Sequence, residues 1–493
     1  MAPRLAAALL LLGACKFPYP ADVRDDDATT DGGDELGGGD TAAQATIAGT
    51  VRTGPSVVPS ATGGVIVAFE TNGTTALAGT TFPCASCSIV AKLNSELTLV
   101  DWYAYADTPL VRASRLAASP DGNVFWALEA AGDDTYSFSI GGSRFAQPIT
   151  IAVTGNSDQG QESGGSRVVV GLGPAGEARW AHNLRQANTA PGNFLGQFNV
   201  FAAADGAIVS TFGAKGTLEH VAAGDVPTST VVPTASVVLH ELAPATGRTA
   251  SLRVIPYAEA RSTPQAATGM PGLAGRGFFR RDTDSDVSGA DLGDRLRVGR
   301  FANGFDTVLT YATVVPAGDV RFTAAVLGGQ LGAYAPIRSS ASIAGTSFTA
   351  PRTNGDALFT LLDPVSPAVL AQLYVGGRGV DSPSFMVGSG SDIYVGGTYT
   401  STDLSIGDQS LPPPLDAGST GLFVARVGPA GGALVPAWAR GAVTSGNLAL
   451  LGATADRVSG DLYVVGSTSA GDLDLGIGSL TGTFVARLRR VAP

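Results

Sequence analysis

Side chains that commonly perform chemistry are scarce in this sequence. Only three histidines, His182, His220 and His240, occur among its 493 residues. His240 precedes Glu241, but no second histidine stands four positions further on, so the pattern of a helical zinc protease is not met. The three histidines fall in a predicted third strand, a loop and a predicted second strand, and we expect no common catalytic or metal-binding cluster. No G-x-S-x-G segment of the kind that carries a serine nucleophile is present either.

One glycine-rich segment has the spacing of a dinucleotide-binding loop. Residues 171–176 read GLGPAG, which matches G-x-G-x-x-G. In a dinucleotide site these glycines follow a strand and open a helix. Here they join two predicted strands, so we interpret them as turn glycines and expect no nucleotide cofactor.

Cys84 and Cys87 stand close together in the segment FPCASCS. In an oxidising compartment such a pair forms a local disulfide, and this is the pairing that we predict. A pair of free thiols is the alternative. A thioredoxin-like redox role would need the first cysteine at the start of a helix, which this loop does not offer.

The best candidate for a metal site is an acidic segment, DTDSDVSGADLGD, that spans residues 282–294. Asp282, Asp284 and Asp286 could offer carboxylate oxygens at the alternating spacing that calcium loops use. Val287, however, stands where an EF-hand needs glycine, and no glutamate occupies the twelfth position. The sequence therefore leaves two alternatives, a calcium site and a solvated loop, and it indicates no other cofactor.

Residues 1–14 have the features of a signal peptide. Arg4 is followed by an apolar run that is too short to cross a bilayer as a helix. The run ends in LGAC, which resembles the lipobox of bacterial lipoproteins. This resemblance implies that Cys15 is lipidated and becomes the new N-terminus, and Lys16 after it fits sorting to the outer membrane. An ordinary signal peptide, in which Cys15 has no special role, is the alternative.

Residues 15–45 form a predicted tether between the lipid and the folded part of the chain. The segment is rich in glycine and acids and has almost nothing to bury, so we expect it to be disordered. The whole chain has a net charge of −11 and no basic patch. A nucleic acid would be repelled by such a chain, and we expect no nucleic-acid partner.

The rest of the chain, residues 46–493, consists of a repeated unit. A short apolar strand, a second apolar strand, a tight turn and a third strand follow one another, and a fourth strand precedes each unit. The first strand occurs seven times, for example as NVFWALE and DLYVVGS. Trp102, Trp180 and Trp438 occupy the same relative place in third strands. Four strands in each of seven units, without a convincing helix, predict an all-β chain that forms a seven-bladed β-propeller, with six or eight blades as alternatives.

The second, sixth and seventh of these units are strongly similar to a known repeat. The segments GNVFWAL and RVVVGLGPAGEARWAHNL in the second unit, and GDLYVVGSTSAGDLDLGIGSLTGTFVARL in the last, resemble a bacterial β-propeller repeat family whose units read roughly VYVTG, FVAKL and a Trp-bearing strand. The resemblance covers about residues 46–493. It implies a fold and a surface address, and it implies no activity.

The two ends of the repeat array complement each other. The last unit stops early, after the segment from Phe484 to Arg489, while an unassigned strand from Ala45 to Arg52 precedes the first unit. We predict that these segments pair, close the ring and leave no open edge. We number the four strands of each predicted blade from the propeller axis outward. The link between the second and the third strand varies most in length, and its longest examples span residues 131–165, 213–235 and 281–304. Because loops can vary without disturbing a core, we predict that this face carries the binding surface.

These features predict a bacterial cell-envelope lipoprotein, an outer-membrane protein that is periplasmic or surface-exposed. It would be a monomer, attached to the membrane by its lipid, and its β-propeller would be a non-catalytic binding module for a protein or a glycan. A propeller enzyme, such as a polysaccharide lyase or hydrolase with its site at the axial channel, is one alternative. A structural surface protein without a specific ligand is the other. The scarcity of histidine weakens the enzyme interpretation, although aspartate, arginine and tyrosine could supply the chemistry.

Overall fold

The structure, a computed structural model, describes residues 41–490 with gaps, and these residues belong to one compact unit. The gaps lie at residues 109, 131–135, 154–165, 188–192, 203–207, 223–224, 257–263, 270–275, 286–290, 303–306, 317–322, 328–329, 339, 344–345, 353–354, 364–367, 390–391, 417 and 477. Some side chains within strands also lie outside the description, including all those from residue 255 to residue 326. The regular structure of the described part consists of β-strands, so the predicted all-β fold is confirmed. No helix in the described part is long and apolar enough to span a membrane.

The strands alternate with short turns along the whole described chain. In chain order they are β1 Thr41–Pro59, β2 Val65–Leu77, β3 Thr80–Thr81, β4 Ser88–Leu93, β5 Val100–Ala106, β6 Val111–Ala118, β7 Val124–Ala130, β8 Tyr136–Gly142, β9 Ile149–Val153, β10 Ser166–Leu172, β11 Ala178–Gln186, β12 Phe194–Ala202, β13 Ile208–Ala222, β14 Thr228–Leu242, β15 Thr249–Pro256, β16 Pro264–Gly269, β17 Arg276–Ser285, β18 Asp291–Ala302, β19 Thr307–Pro316, β20 Thr323–Leu327, β21 Gln330–Ile337, β22 Ser340–Ile343, β23 Thr346–Thr349, β24 Asp356–Leu362, β25 Val369–Val375, β26 Asp381–Ser389, β27 Asp392–Tyr399, β28 Ser405–Ile406, β29 Gln409–Ser410, β30 Thr420–Ala430, β31 Ala433–Thr444, β32 Leu448–Ala455, β33 Leu462–Asp474 and β34 Ser479–Leu488.

The described strands contain seven runs of four antiparallel neighbours, each here called a unit. Units one to four are β1-β2-β4-β5, β6-β7-β10-β11, β12-β13-β14-β15 and β16-β17-β18-β19. Units five to seven are β20-β21-β24-β25, β26-β27-β30-β31 and β32-β33-β34-β1. Strand β1 joins units seven and one, the pairing of β11 with β13 joins units two and three, and that of β25 with β31 joins units five and six. With β3 and the hairpins β8–β9 and β22–β23, which extend units one and four, the large sheets contain ten, eight, six and eight strands. The seven separate blades of a propeller are therefore not confirmed, and the arrangement of the units about a common axis stays a prediction.

Strand β1 belongs to both the last and the first unit. Its first half pairs antiparallel with β34, with Ala45 opposite Val485 and Thr46 opposite Phe484. Its second half, up to Pro59, pairs with β2. The predicted pairing of the chain ends is thus confirmed. The strand begins at Thr41, and residues 41–45 therefore belong to it rather than to the tether.

The long links predicted as loops are partly strands, which corrects that prediction. Residues 131–165 include the hairpin of β8 and β9, and β8 pairs with β5 of the preceding unit. Residues 213–235 form the outer halves of β13 and β14, which pair with each other. Residues 281–304 include the end of β17 and the whole of β18. A hairpin satisfies the backbone hydrogen-bonding groups that a long irregular loop would leave to water.

Buried side chains lie between consecutive units wherever the structure describes them. One cluster joins Phe125 of the second unit to Phe212 of the third. Another joins Tyr463 and Val485 of the last unit to Val65 of the first. The last and first units therefore pack on each other in the same way as units that are neighbours in sequence.

In two units, the structure explains why a tryptophan recurs at the same position of the third strand. Trp102 Nε1 donates a hydrogen bond to the carbonyl oxygen of Pro174 at 3.3 Å, and Trp180 Nε1 donates one to that of Pro244 at 2.8 Å. Each proline begins a tight turn of the next unit. The second of these turns contains Gly247, whose φ of +66° is left-handed and whose Cβ, if present, would lie 2.3 Å from the Trp180 ring. Each indole therefore fixes a turn of the following unit.

Candidate functional site

The three histidines of the chain converge, which corrects the prediction that they form no common cluster. His182 lies on β11, His220 on the outer half of β13 and His240 on β14. One nitrogen from each ring can be chosen such that all three lie within 4.8 Å of one another. The ring centroids of His182 and His240 are 4.8 Å apart, and His220 lies 6.3 Å and 5.9 Å from them.

A bend in β13 makes this convergence possible. The register of β13 against β14 shifts between Ala214 and Gly216, and Gly216 has a φ of +114° that favours glycine. Beyond the bend, β13 pairs with β11 of the preceding unit and places Ala222 opposite His182. His220 lies two residues before Ala222, so its side chain is on the same face of the sheet as that of His182.

All three imidazoles are buried, with exposed fractions of 1% for His182, 8% for His220 and 0% for His240. Burial disfavours the charged form of a histidine. It lowers the pKa of His182 to about 4, against the opposing hydrogen bond to Gly247. It also lowers the pKa of His220, and it holds the pKa of His240 well below the usual value, with His182 and His220 adding to that shift. The rings are therefore neutral at pH 7 and have lone pairs.

The proton of His182 can be placed from its hydrogen bond. Its Nδ1 lies 2.7 Å from the carbonyl oxygen of Gly247. A carbonyl oxygen only accepts, so Nδ1 carries the hydrogen and Nε2 carries the lone pair. That Nε2 atom is buried and has no hydrogen-bond partner among the described residues. A buried nitrogen of this kind is costly unless something binds it.

Hydroxyl groups surround the other two rings. Thr249 Oγ1 lies 2.8 Å from Nε2 of His240 and 3.1 Å from Nδ1 of His220. Thr230 Oγ1 lies 3.3 Å from Nε2 of His220, and Ser210 Oγ lies 3.5 Å from Nδ1 of His240. A hydroxyl has one hydrogen to donate, so Thr249 can donate to only one of its two ring nitrogens.

The turn before β15 orients His182. The carbonyl of Gly247 in this turn accepts the Nδ1 hydrogen, and Trp180 on β11 fixes the turn through Pro244. Hydrogen bonds of this kind from the second ring nitrogen orient histidines that ligate metals. The contact between a tryptophan and the next unit's turn thus has a second effect at this turn, because the turn also orients His182.

A pocket of about 360 Å³ opens beside the histidines. Its walls include His182, His220, Thr228 and Thr249, together with an ion pair at the mouth. In that pair Arg248 Nε and Nη2 donate to the two carboxylate oxygens of Asp225 at 2.8 Å and 2.7 Å. The outer half of the hairpin β13–β14 supplies most of this wall, within one of the long links that the sequence assigned to the binding face.

This donor set fits a transition-metal ion. Neutral imidazole nitrogens suit zinc, copper, iron and nickel, whereas calcium and magnesium prefer oxygen ligands. The unpartnered Nε2 of His182 is the position at which an ion would satisfy an otherwise lost bond. Three histidines leave at least one coordination position open toward the pocket, as in sites where zinc also holds water or substrate.

The candidate residues from the acidic segment cannot be assessed as a site. Asp282 and Asp284 lie on β17, which pairs with β18, so this part of the predicted loop is a hairpin. Their side chains, and the whole of Asp286, lie outside the described residues. Cys15 lies outside them as well. Cys84 and Cys87, both buried, are joined by a disulfide in the link between β3 and β4.

Sequence reasoning missed the histidine cluster because no local motif contains it. The three residues come from three strands in two units, and they meet only through the bend at Gly216 and the pairing of β13 with β11. A strand register that is shifted by one residue would send His182 to the other face of the sheet. The low number of histidines gave no positive signal.

Comparison with known proteins gives no family. No protein-family model matches the chain, and no curated protein matches it. Among solved structures, the polysaccharide lyase Uly1 is similar with a TM-score of 0.38 and 10% identity, over 87% of this chain and 88% of that chain. The hemagglutinin-neuraminidase ectodomain of parainfluenza virus 5 gives 0.32 and 8%, over 77% and 82%. The rhamnogalacturonan lyase YesW gives 0.27 and 12%, over 90% and 91%. With TM-scores below 0.5, none of these supports an assignment of fold or activity.

Proposed function

We propose that this chain is a bacterial cell-envelope lipoprotein whose repeated units form a β-propeller and act as a binding module, with a transition-metal ion held by His182, His220 and His240 beside the pocket. The module is monomeric and non-catalytic. The observation that carries the metal site is the buried Nε2 of His182, which has a lone pair, no described hydrogen-bond partner and two further neutral imidazoles beside it.

Two features support the propeller part of the proposal. Seven four-stranded units follow one another, and the described cores lie between units one and two, two and three, five and six, and six and seven. The last unit packs on the first, as a closed ring requires. A closed ring also explains why β1 serves both ends of the chain, since it removes the open edge that a linear array would keep.

The envelope part of the proposal rests on the resemblance of LGAC to a lipobox. It predicts that Cys15 is the only attachment point for lipid. Growth in the presence of a clickable palmitate analogue should label the wild-type chain, and the Cys15→Ser variant should be unlabelled and recovered in the soluble fraction. If the Cys15→Ser variant were labelled, or if it stayed in the membrane fraction without label, the lipoprotein assignment would be wrong.

The metal site can be tested by calorimetry. The full chain with Cys15→Ser should bind one Zn²⁺ per molecule at pH 7. Loss of a residue that only supports a metal ligand weakens metal binding by about 10–100-fold. His182→Gln and His240→Gln should each weaken Zn²⁺ binding by more than this, because each removes a ligand. Glu96→Gln, which removes an exposed carboxylate in another unit, is the matched control and should bind like the parent. Unchanged Zn²⁺ binding in both histidine variants would reject the site.

A metal-dependent enzyme is the second candidate, and the open pocket beside the histidines favours it. Metal-bound water is activated at neutral pH in sites with three protein ligands and one open position. The Zn²⁺-loaded chain should therefore be incubated with acidic polysaccharides, with chain cleavage followed by size-exclusion chromatography. No cleavage above the level of the His182→Gln variant supports the binding module, and metal-dependent cleavage would replace it with the enzyme.

A further inference from the structure

The charge of the histidine pocket carries an inference about what else binds there. Three neutral imidazoles leave the two positive charges of a divalent ion uncompensated. Among the described residues that line the pocket, Asp225 is the one carboxylate, and its two oxygens already accept hydrogen bonds from Arg248. A bound metal would therefore keep its positive charge in a partly enclosed site, and an anion would stabilise it.

We infer that the metal ion in this pocket binds an oxyanion, which Arg248 contacts at the pocket mouth. The inference rests on the proposed metal site and adds the chemical class of its ligand. The shared chemistry is a carboxylate or phosphate group, with one oxygen on the metal and another within reach of a guanidinium N–H.

The pocket has room for such a group. A cavity needs a volume of roughly 10–15 Å³ to hold a single water molecule, while this pocket has a volume of about 360 Å³. A ligand with several non-hydrogen atoms therefore fits beside the ion. The hydroxyl of Thr228 also lines the pocket and can donate to an oxygen atom of the ligand.

Arg248 has donors to spare for an anion. A guanidinium group has five N–H donors in a planar fork. The pair with Asp225 uses Nε and Nη2, which leaves Nη1 for a second acceptor. Its side chain is 66% exposed, so it lies at the mouth where an incoming ligand would pass. This geometry suits oxyanions, which bind forked donors well.

The test uses Co²⁺ in place of Zn²⁺, because Zn²⁺ is a d¹⁰ ion and gives no visible spectrum. The full chain with Cys15→Ser should be loaded with Co²⁺ and titrated with acetate, with phosphate and with acetamide as the neutral control. A saturable change of the visible bands with acetate or phosphate, and none with acetamide, is the expected result. The relative response to acetate and phosphate tells a carboxylate ligand from a phosphoryl ligand.

Variants separate the roles of the two groups. Arg248→Gln should weaken oxyanion binding by on the order of tenfold, the low end for a charge-assisted hydrogen bond because the side chain is exposed. Its affinity for Co²⁺ should stay within about twofold of the parent, since the described hydrogen bonds of the Arg248 side chain go to Asp225 and not to a histidine. Arg352→Gln, which removes an exposed arginine paired with Asp403 in another unit, is the control and should behave like the parent.

The outcomes distinguish this inference from the proposed function. If Co²⁺ binds and no oxyanion changes its spectrum, the open position holds only water and the inference is wrong while the metal site stands. If oxyanions bind equally well to Arg248→Gln, the assigned contact is wrong. If Co²⁺ does not bind at all, the proposed metal site fails and this inference fails with it.

Discussion

At the scale of single residues, His182 connects the sequence to the site. Its Nδ1 hydrogen is taken by Gly247, and its Nε2 lone pair is buried without a described partner. Neither property is visible in the sequence, because both depend on which turn the ring meets. The short apolar strands, by contrast, were predicted from the sequence, and the repeated position of Trp180 in a third strand was also visible there.

The Gly247 turn should be sensitive to a single added methyl group. Gly247→Ala adds a Cβ that would lie 2.3 Å from the Trp180 ring at a φ of +66°. We expect lower stability and weaker Zn²⁺ binding, since the turn can no longer present its carbonyl to His182. Gly431→Ala is the matched control, because Gly431 has a φ of +58° with nothing within 4 Å of an added Cβ.

Calorimetric unfolding separates the two effects. The left-handed backbone alone should cost roughly 1–2 kcal/mol in either variant. Gly247→Ala should lose more than this and should also lose metal affinity, whereas Gly431→Ala should bind Zn²⁺ normally. Equal melting temperatures and equal metal affinity for the two variants would mean that contact with Trp180 does not constrain the turn.

Asp472 should make stability depend on pH in the acid range. Hydrogen bonds from Ser445 and Thr444 lower the pKa of Asp472 from 3.8 to about 2. Because the folded pKa is depressed, the stabilisation is present above pH 3.8 and is lost as pH falls toward 2. Asp472→Asn should therefore melt below the parent at pH 7, and the difference should shrink between pH 4 and pH 2.

The control for this change is Asp408→Asn, which removes the charge of an exposed aspartate in another unit. Its difference from the parent in differential scanning calorimetry should stay small. A gap between Asp472→Asn and the parent that is the same at pH 2 as at pH 7 would contradict the assigned hydrogen bonds.

At the scale of elements, β13 and the turn of Gly247 show where sequence reasoning reached its limit. The inner half of β13 was predicted as a strand, and its outer half as part of a long loop. The loop has β-branched and small residues that extend the hairpin, and hydrogen bonds to β11 stabilise it. Such tertiary pairing has no local signal, so both the extension and the histidine cluster that depends on it were missed.

The contact between a tryptophan and the next turn can be tested in two units at once. Trp180→Phe removes the hydrogen bond to Pro244, and Trp102→Phe removes the equivalent bond to Pro174. Each should cost about 1–2 kcal/mol in the free energy of unfolding from the lost bond and packing. Only Trp180→Phe should also weaken Zn²⁺ binding, by about tenfold, because only its turn orients a histidine.

Chemical denaturation and calorimetric Zn²⁺ titration of the two variants measure these quantities separately. If Trp102→Phe weakened metal binding as much as Trp180→Phe, the effect would come from general destabilisation and not from the turn.

At the scale of the whole molecule, the repeat and its closure could be read from the sequence. Four short strands recur, and the incomplete last unit together with a spare strand at the start predicted the pairing that β1 and β34 make. The division into separate blades could not be predicted equally well from the sequence, because strands that extend into the links pair with neighbouring units and form larger sheets. The pairing of the chain ends could be predicted because the sequence shows which strand lacks a neighbour. The joining of units into larger sheets depends on strand register, which the sequence does not show.

Removal of the closing half-strand should open the molecule. Deletion of residues 41–46 leaves the edge of β34 without its partner and removes buried Ala43. We expect a lower melting temperature and self-association through the free edge, measured by calorimetry and light scattering. Deletion of residues 16–40, the part of the predicted tether between Cys15 and β1, is the length control and should leave both unchanged. The same melting temperature and a monomer in both deletions would show that β1 does not close the fold.

The central claim is that the three histidines bind one metal ion, and X-ray absorption at the zinc edge of the Zn²⁺-loaded chain tests it most directly. The spectrum should show nitrogen at about 2.0–2.1 Å and the outer-shell scattering of three imidazoles, and His182→Gln should reduce the imidazole contribution. A first shell of oxygen alone, or a spectrum that His182→Gln leaves unchanged, would contradict the claim.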